Sequence, residues 1–210
     1  MSKNKFESYR MRPMGLHDIE AISHWFEHLP DLSLFDRKMP VPLTKSALGE
    51  RWKESLSGGE FSKSFWFTIN DECDAIVGIV GIDSVDYIHG DGVLALYFAD
   101  HVRRKGLGIR ASAMLIDIAF GQLRLNRMTS YYRSDNDATR ALTGTLGFQV
   151  EGKMRRAWFT GGKHHDVLVI GLLASEWAET RANLRKTLKG GPEITLGRAP
   201  WSSSEWSDPT

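Results

Sequence analysis

The spacing of apolar residues changes along this chain, and each change marks an element. Residues 6 to 14 alternate enough to predict a first strand. From 16 to 29, "LHDIEAISHWFEHL" repeats Ile19, Ile22, Trp25, Phe26 and Leu29 at helical intervals, which predicts one helix closed by Pro30. After the proline-punctuated "DRKMPVP", Thr44 caps a second helix reaching about Leu56, and Gly58 with Gly59 stops it. The period then shortens: "SFWFTI", "DAIVGIVGIDSV" and "GVLALYFA" predict three successive strands, antiparallel to one another. Helical spacing returns after a glycine pair, with Ile109, Ala113, Ile116 and Phe120 on the face that packs against the sheet. A strand "RMTSYYR" follows, then a short helix from Asp137 to Leu146. Two strands, "FQVEGKMRRAWF" and "HHDVLVIGLL", are joined by "TGGK", and a last helix runs from Ser175 to about Leu188.

The remainder, "KGGPEITLGRAPWSSSEWSDPT", has no period and is rich in Gly, Pro and Ser. We therefore divide the chain into a folded domain, 1–188, and a tail, 189–210, read as flexible or as an arm contacting a second copy in a homodimer.

Composition removes several functions. With 27 Lys and Arg against 26 Asp and Glu, a net charge of +1 offers no bulk attraction to nucleic acid or an anionic membrane. The single cysteine, Cys73, excludes an intrachain disulfide and a cysteine-rich metal module, and suits a reducing cytoplasm. No export signal or membrane span is legible, because the longest apolar stretch, "AIVGIVGI", is far short of about 20 residues. No metal site is expected.

Candidate chemistry concentrates in "HVRRKGLGIRA". Gly106, Gly108 and Ala111 fit G-x-G-x-x-A, which alone allows a dinucleotide fold, and Asp135 stands about where a ribose-binding acid belongs. The long connection "DHVRRK" and the antiparallel strands before it oppose that reading, and no P-loop motif is present. Arg103, Arg104 and Lys105 at a helix N-terminus are unfavourable to the helix dipole unless an anion compensates. Backbone N–H groups released by Gly106 and Gly108 form a nest suited to a diphosphate.

Residues 8 to 178 resemble the GNAT superfamily of acetyl-coenzyme A-dependent N-acetyltransferases, particularly the branch of ribosomal-protein N-terminal acetyltransferases. The Q/R-x-x-G-x-G/A signature is met by Arg103, Arg104, Lys105, Gly106, Leu107 and Gly108, and the Arg12-Pro13…Asp18 opening is typical of that branch. A second block agrees: Asn136 to Thr139, then Leu146-Gly147-Phe148 and Glu151-Gly152, with a closing hairpin through Gly162-Lys163, Asp166-Val167 and Gly171. The resemblance implies an α/β (α+β) single domain with a mixed, mostly antiparallel twisted sheet of about seven strands, flanked by helices and splayed between strands 4 and 5. It implies transfer of acetyl from acetyl-coenzyme A to a primary amine by direct attack in a ternary complex, the alternative being a catalytically degenerate acyl-coenzyme A-binding module.

Site residues follow from the same resemblance. Main-chain groups of Tyr97, Phe98 and Ala99 would bind the pantetheine amides, the loop from Arg103 to Ile109 the diphosphate, Asn136 a pantetheine amide, and Arg140 a phosphate. Thr139 holds the place of the branch's proton-donating serine and, with Asn136, is a catalytic candidate, whereas Thr143 stands where many relatives have tyrosine. The strand-4 glutamate that serves as base in the branch is replaced by Val93, leaving Asp83, Asp86, Asp91, His164 and His165 as candidates. Trp25, Phe26, Phe35 and Trp52 are candidates for the acceptor wall, and the acidic loops (Asp71, Glu72 and Asp74 among them) favour a cationic small molecule.

Overall fold

The computed structural model describes residues 7–201 apart from Arg37, Pro40, Glu60, Lys189 and Arg198; the last nine residues of the expected tail lie outside it. The first strand, β1 (Ser8–Pro13), leads into α1 (Asp18–Ile22), a 3-10 turn (Ser23–Phe26), α2 (Leu29–Phe35) and α3 (Lys45–Leu56). The meander β2 (Phe65–Asn70), β3 (Ile76–Asp86) and β4 (Asp91–Phe98) is antiparallel as its pattern predicts. Then come α4 (Leu107–Gly121), β5 (Arg127–Arg133), α5 (Asp137–Thr145), β6 (Gln149–Thr160), β7 (Lys163–Leu173) and α6 (Ala174–Thr187), followed by β8 (Glu193–Leu196) and β9 (Ala199–Pro200).

Among the described residues one sheet of nine strands runs β6-β7-β5-β4-β3-β2-β1-β8-β9, with parallel pairing only at β4–β5 and β1–β8. The first seven strands match the expectation. The two extra ones come from the expected tail, where Ser8 to Met11 pair with Glu193 to Leu196 and bury Ile194 to 2% exposure. A four-residue strand between glycines carries too little period to be read locally; a partner 185 residues away decides it.

The expected single helix from 16 to 29 is also corrected. It breaks into α1 and the 3-10 turn, and Pro30 sits in the first turn of α2 instead of closing the preceding helix, a position where its missing N–H costs nothing. The Arg12 guanidinium grips Asp18 through two bonds of 2.9 and 2.7 Å, and the Gly15 N–H donates a third at 2.8 Å. Burial alone would raise the Asp18 carboxyl; these bonds hold it below the ordinary aspartate range.

Helix α4 is apolar nearly all round, with Leu107, Ala111, Met114, Leu115 and Ile116 at 0–1% exposure, as a helix enclosed by sheet, α6 and the C-terminal strands must be. Its one acidic side chain, Asp117, accepts bonds from Trp177 Nε1 (2.7 Å), Arg181 Nε (2.8 Å) and Trp201 Nε1 (2.7 Å). Arg110, one face along, donates to the Leu188 carbonyl at 2.7 Å. The chain beyond α6 is thereby fastened along α4. Among the described residues no helix is long and apolar enough to cross a membrane.

Candidate active site

Strands β4 and β5 touch at a single register pair, Val93 with Thr129. Beyond it β4 stays paired to β3, from Leu94 opposite Ile82 to Phe98 opposite Gly78, while β5 continues along β7. The Ser130 hydroxyl donates to the Leu94 carbonyl at 3.0 Å, replacing a ladder bond just where the strands part. The backbone of Ala95 to Ala99 therefore faces a gap on the β5 side. An extended chain with amides can dock there as a strand would.

At the far end of that gap the chain turns through Asp100–Val102 into α4. Arg104 (φ 64°) and Gly106 (φ 81°) adopt left-handed conformations, which coil the backbone around the helix start. Gly106 has no side chain to cap α4, and among the described residues the N–H groups of its first turn have no acceptor outside the helix. This fits an anion. The three cations behave differently from one another. Arg103 donates Nε to the Phe98 carbonyl (2.7 Å), pairs with Asp100 (2.7 Å) and lies over the Tyr97 ring, bracing the loop to β4. Lys105 leans toward Glu7 at 3.4 Å, whereas Arg104 forms no ion pair among the described residues. Gly108 has an added cause: a Cβ there would stand 3.1 Å from Leu142 and 3.6 Å from Phe98, so glycine lets α4 approach α5 and β4 closely. Leu107 is buried and Ile109 half-buried against the core, so what they offer an anion is main chain.

Helix α5 borders the other side of the gap. Asn136 is its N-cap, with Oδ1 accepting from Thr139 N–H at 3.0 Å, which frees Thr139 from the capping role its position suggests. The Thr139 side chain lines a cavity of about 640 Å³, and its hydroxyl has no partner among the described residues. Thr143, by contrast, is buried and donates back to the Thr139 carbonyl at 2.8 Å. Arg140 pairs with Asp137 and donates to the Ser134 carbonyl (3.1 Å), so it braces the start of its own helix.

The cavity continues from the gap to the acceptor side. Phe35 and Trp52 line it as expected; Trp25 and Phe26 do not, and stack instead on Tyr97 at 5.5 and 6.1 Å. Of the acidic residues singled out, only Asp83 reaches it. Asp86 accepts the Ile88 and His89 N–H groups within its turn, and those bonds, His89 first, hold its carboxyl below the ordinary range. Asp91 accepts the Thr129 hydroxyl at 2.8 Å. Asp71, Glu72 and Asp74 surround a separate depression beside Ser8 and Arg10. His165 pairs with Asp135 at 3.2 Å and His164 packs edge-on to Phe159, both away from the cavity. The expected acidic lining is thus corrected: Asp36 and Asp83 are balanced by Lys38 and Arg51, and Arg51 is paired to Asp36.

Several lining residues carry no signal in sequence. Trp158 is turned inward at 6% exposure by a register shift between Met154 and itself, where Arg156 takes φ 51° and its N–H donates to Asp166 at 2.9 Å. The Asp36–Arg51 pair joins a loop to a helix 15 residues on.

Residues 9–149 match the acetyltransferase (GNAT) domain family. An uncharacterized N-acetyltransferase of Bacillus licheniformis, p20, is 30% identical over 172 residues, 82% of this chain and 96% of that protein. YdaF of Bacillus subtilis (strain 168), whose name as a ribosomal N-acetyltransferase is provisional, is 30% identical over 103 residues, 49% of this chain and only 56% of its own length. The crystal structure of spermidine N-acetyltransferase from Vibrio cholerae in complex with CoA and spermine has a TM-score of 0.72 at 20% identity, covering 80% of this chain and 97% of that one. At that identity the likeness is one of fold.

Proposed function

Because the chain belongs to the acetyltransferase (GNAT) family, as an N-acetyltransferase using acetyl-coenzyme A, we propose that it acetylates the primary amine of a small molecule or a protein N-terminus by direct attack within a ternary complex. One observation carries this reading. A single cavity is lined by Leu94 to Leu96 and Thr139 at the gap and by Asp36, Arg51 and Trp52 at the acceptor side, so both reactants meet in it.

Acetyl-coenzyme A supplies an acyl group activated as a thioester. In this reading the main chain of Tyr97, Phe98 and Ala99, helped by the Asn136 amide, holds the pantetheine arm. The nest from Arg103 to Ile109 holds the diphosphate, with Arg104, which has no ion pair among the described residues, as its cation and Arg103 fixing the loop. Arg140 contributes through α5, whose start it steadies. The Thr139 hydroxyl hydrogen-bonds the departing sulfur and relays a proton to it, the role of a general acid. The balanced charge of the cavity fits an amine that also carries polar or anionic groups at least as well as a polycation.

The test is coenzyme-thiol release from acetyl-coenzyme A with a panel containing spermidine and peptides with free N-termini. Amine-dependent release supports the reading. Tight coenzyme binding with no release by any amine would leave a module that holds acyl-coenzyme A without turning it over.

A further inference from the structure

An alkylamine titrates at about 10.4, so at pH 7 only roughly one molecule in 10³ can attack, and an acetyltransferase gains by removing that proton. On the acetyl-transfer reading above, we propose that Asp83 is the general base, taking the proton of the acceptor ammonium directly or through one water.

Position comes first. Asp83 is the register partner of Val93, and Val93 on its other side meets Thr129, the last contact before β4 and β5 part. Directly opposed side chains share a face about 4.5–5.5 Å apart, so the carboxylate stands one strand from the mouth of the gap and on the cavity side. Among the described residues that line the cavity, it is the carboxylate without a cationic partner; Asp36 is engaged by Arg51 and by the Lys38 N–H.

Orientation is fixed as well. The Ser64 hydroxyl, from the start of the neighbouring strand, and the Ser84 N–H (2.8 Å) both donate to Oδ1. Oδ2 has no partner among the described residues and is left to a substrate. Ser84 itself is held at φ 53°, a conformation a serine rarely adopts, at a register shift between Asp83 and Asp86. The irregularity of β3 thus begins immediately after the residue that carries the carboxylate. Titratable groups sharing the cavity are Asp36 and Lys38 of the loop after α2, Arg51 of α3, and Tyr131 and Tyr132 of β5.

The step balances. Asp83 accepts one ammonium proton and later yields it to solvent. The freed nitrogen lone pair forms the N–C bond to the thioester carbonyl as the C–S bond breaks, and the second nitrogen proton passes through the Thr139 hydroxyl to sulfur. The products are the N-acetyl amine, free coenzyme thiol and one proton.

The experiment measures thiol release by wild type and Asp83→Asn from pH 6.5 to 9.5, with spermidine and a free-N-terminus tripeptide as acceptors, and acetyl-coenzyme A affinity by calorimetry. The expected deficit for spermidine is about 10²-fold or more at pH 7. It should shrink by about tenfold per pH unit toward the amine's own pKa, because hydroxide then does the work of the lost base. Coenzyme affinity should not change. Ser64→Ala, which keeps the carboxylate but loosens it, should show a smaller deficit, and Val93→Glu should recover activity in the Asp83→Asn protein by returning a carboxylate to the paired position. A deficit constant with pH marks a structural role and overturns the proposal, as does an Asp83→Asn protein equal to wild type. A wild type that binds coenzyme yet acetylates neither acceptor nor any other panel amine overturns the acetyl-transfer reading and Asp83 with it.

Discussion

Trp201→Phe isolates one bond in the buried cluster that fastens the chain beyond α6 to α4. The indole is 4% exposed, its Nε1 donates to Asp117 Oδ2 at 2.7 Å, and its own N–H and carbonyl are used by Ile194 and Arg185. A phenyl ring keeps most of the packing and loses the donor. A hydrogen bond to a charged group is worth about 1.5–3 kcal/mol, and the Arg181 contact to the same oxygen at 2.9 Å places the expected loss toward the lower end. Trp201→Ala also removes the ring, about 150–250 Å² at about 25 cal/mol/Å², so its loss should reach roughly 4–6 kcal/mol. Urea melts give the global values. Amide exchange at Glu193 to Leu196 tests the locality: an opening easier by 2 kcal/mol exchanges about 30-fold faster there while α4 interior amides change little. If Trp201→Ala melts within 0.5 kcal/mol of wild type and β8 exchange is unaltered, the cluster does not hold the C-terminal strands.

Three further outcomes follow from the site and its supports. Gly108→Asp sets an anion into the nest and should weaken acetyl-coenzyme A binding on the order of tenfold or more by calorimetry, whereas Gly108→Ala, which only crowds Leu142, should weaken it less. Thr139→Ala should lower kcat by about 10²-fold with coenzyme affinity nearly unchanged, and Thr139→Ser should restore most of it; full activity in the alanine variant would leave the hydroxyl without a chemical role. Asp18 has its folded pKa depressed, so it contributes stability above the unfolded aspartate value, about 3.9, and that contribution disappears as pH falls through the folded value. The stability gap between wild type and Asp18→Asn should therefore be open at pH 7, on the order of 1–3 kcal/mol, and should narrow in urea melts as pH falls below the unfolded value.

Sequence reading located what local chemistry dictates. Thr44 caps α3 through a bond from Ala47 N–H at 3.2 Å, and Gly106 sits at φ 81°, where the turn into α4 needs it. The divergence of β4 and β5 was legible only through family resemblance, since nothing in "GVLALYFA" says that one neighbour will leave it. Long-range partners account for the errors. His165 reads as a base until Asp135, thirty residues before it in the chain, is found beside it. Asp83, Asp86 and Asp91 are indistinguishable turn aspartates in sequence; the register of β3 against β4 and β2 sends only the first into the cavity. Strand alternation also places Trp158 wrongly unless the shift after Met154 is known.

The parallel pairing of β1 with β8 ties the order of synthesis to the order of folding. Ser8 to Met11 leave the ribosome 185 residues ahead of Glu193 to Leu196, the strand that takes their outer hydrogen bonds. Until those arrive, β1 presents a bare edge to any other extended chain, the arrangement that invites sheet-to-sheet association. A pairing of such sequence separation also forms slowly, because the loop must close before any contact rewards it. A chain interrupted before Glu193 keeps that edge uncovered, so β8 guards β1 against pairing with other extended chains as well as completing the sheet.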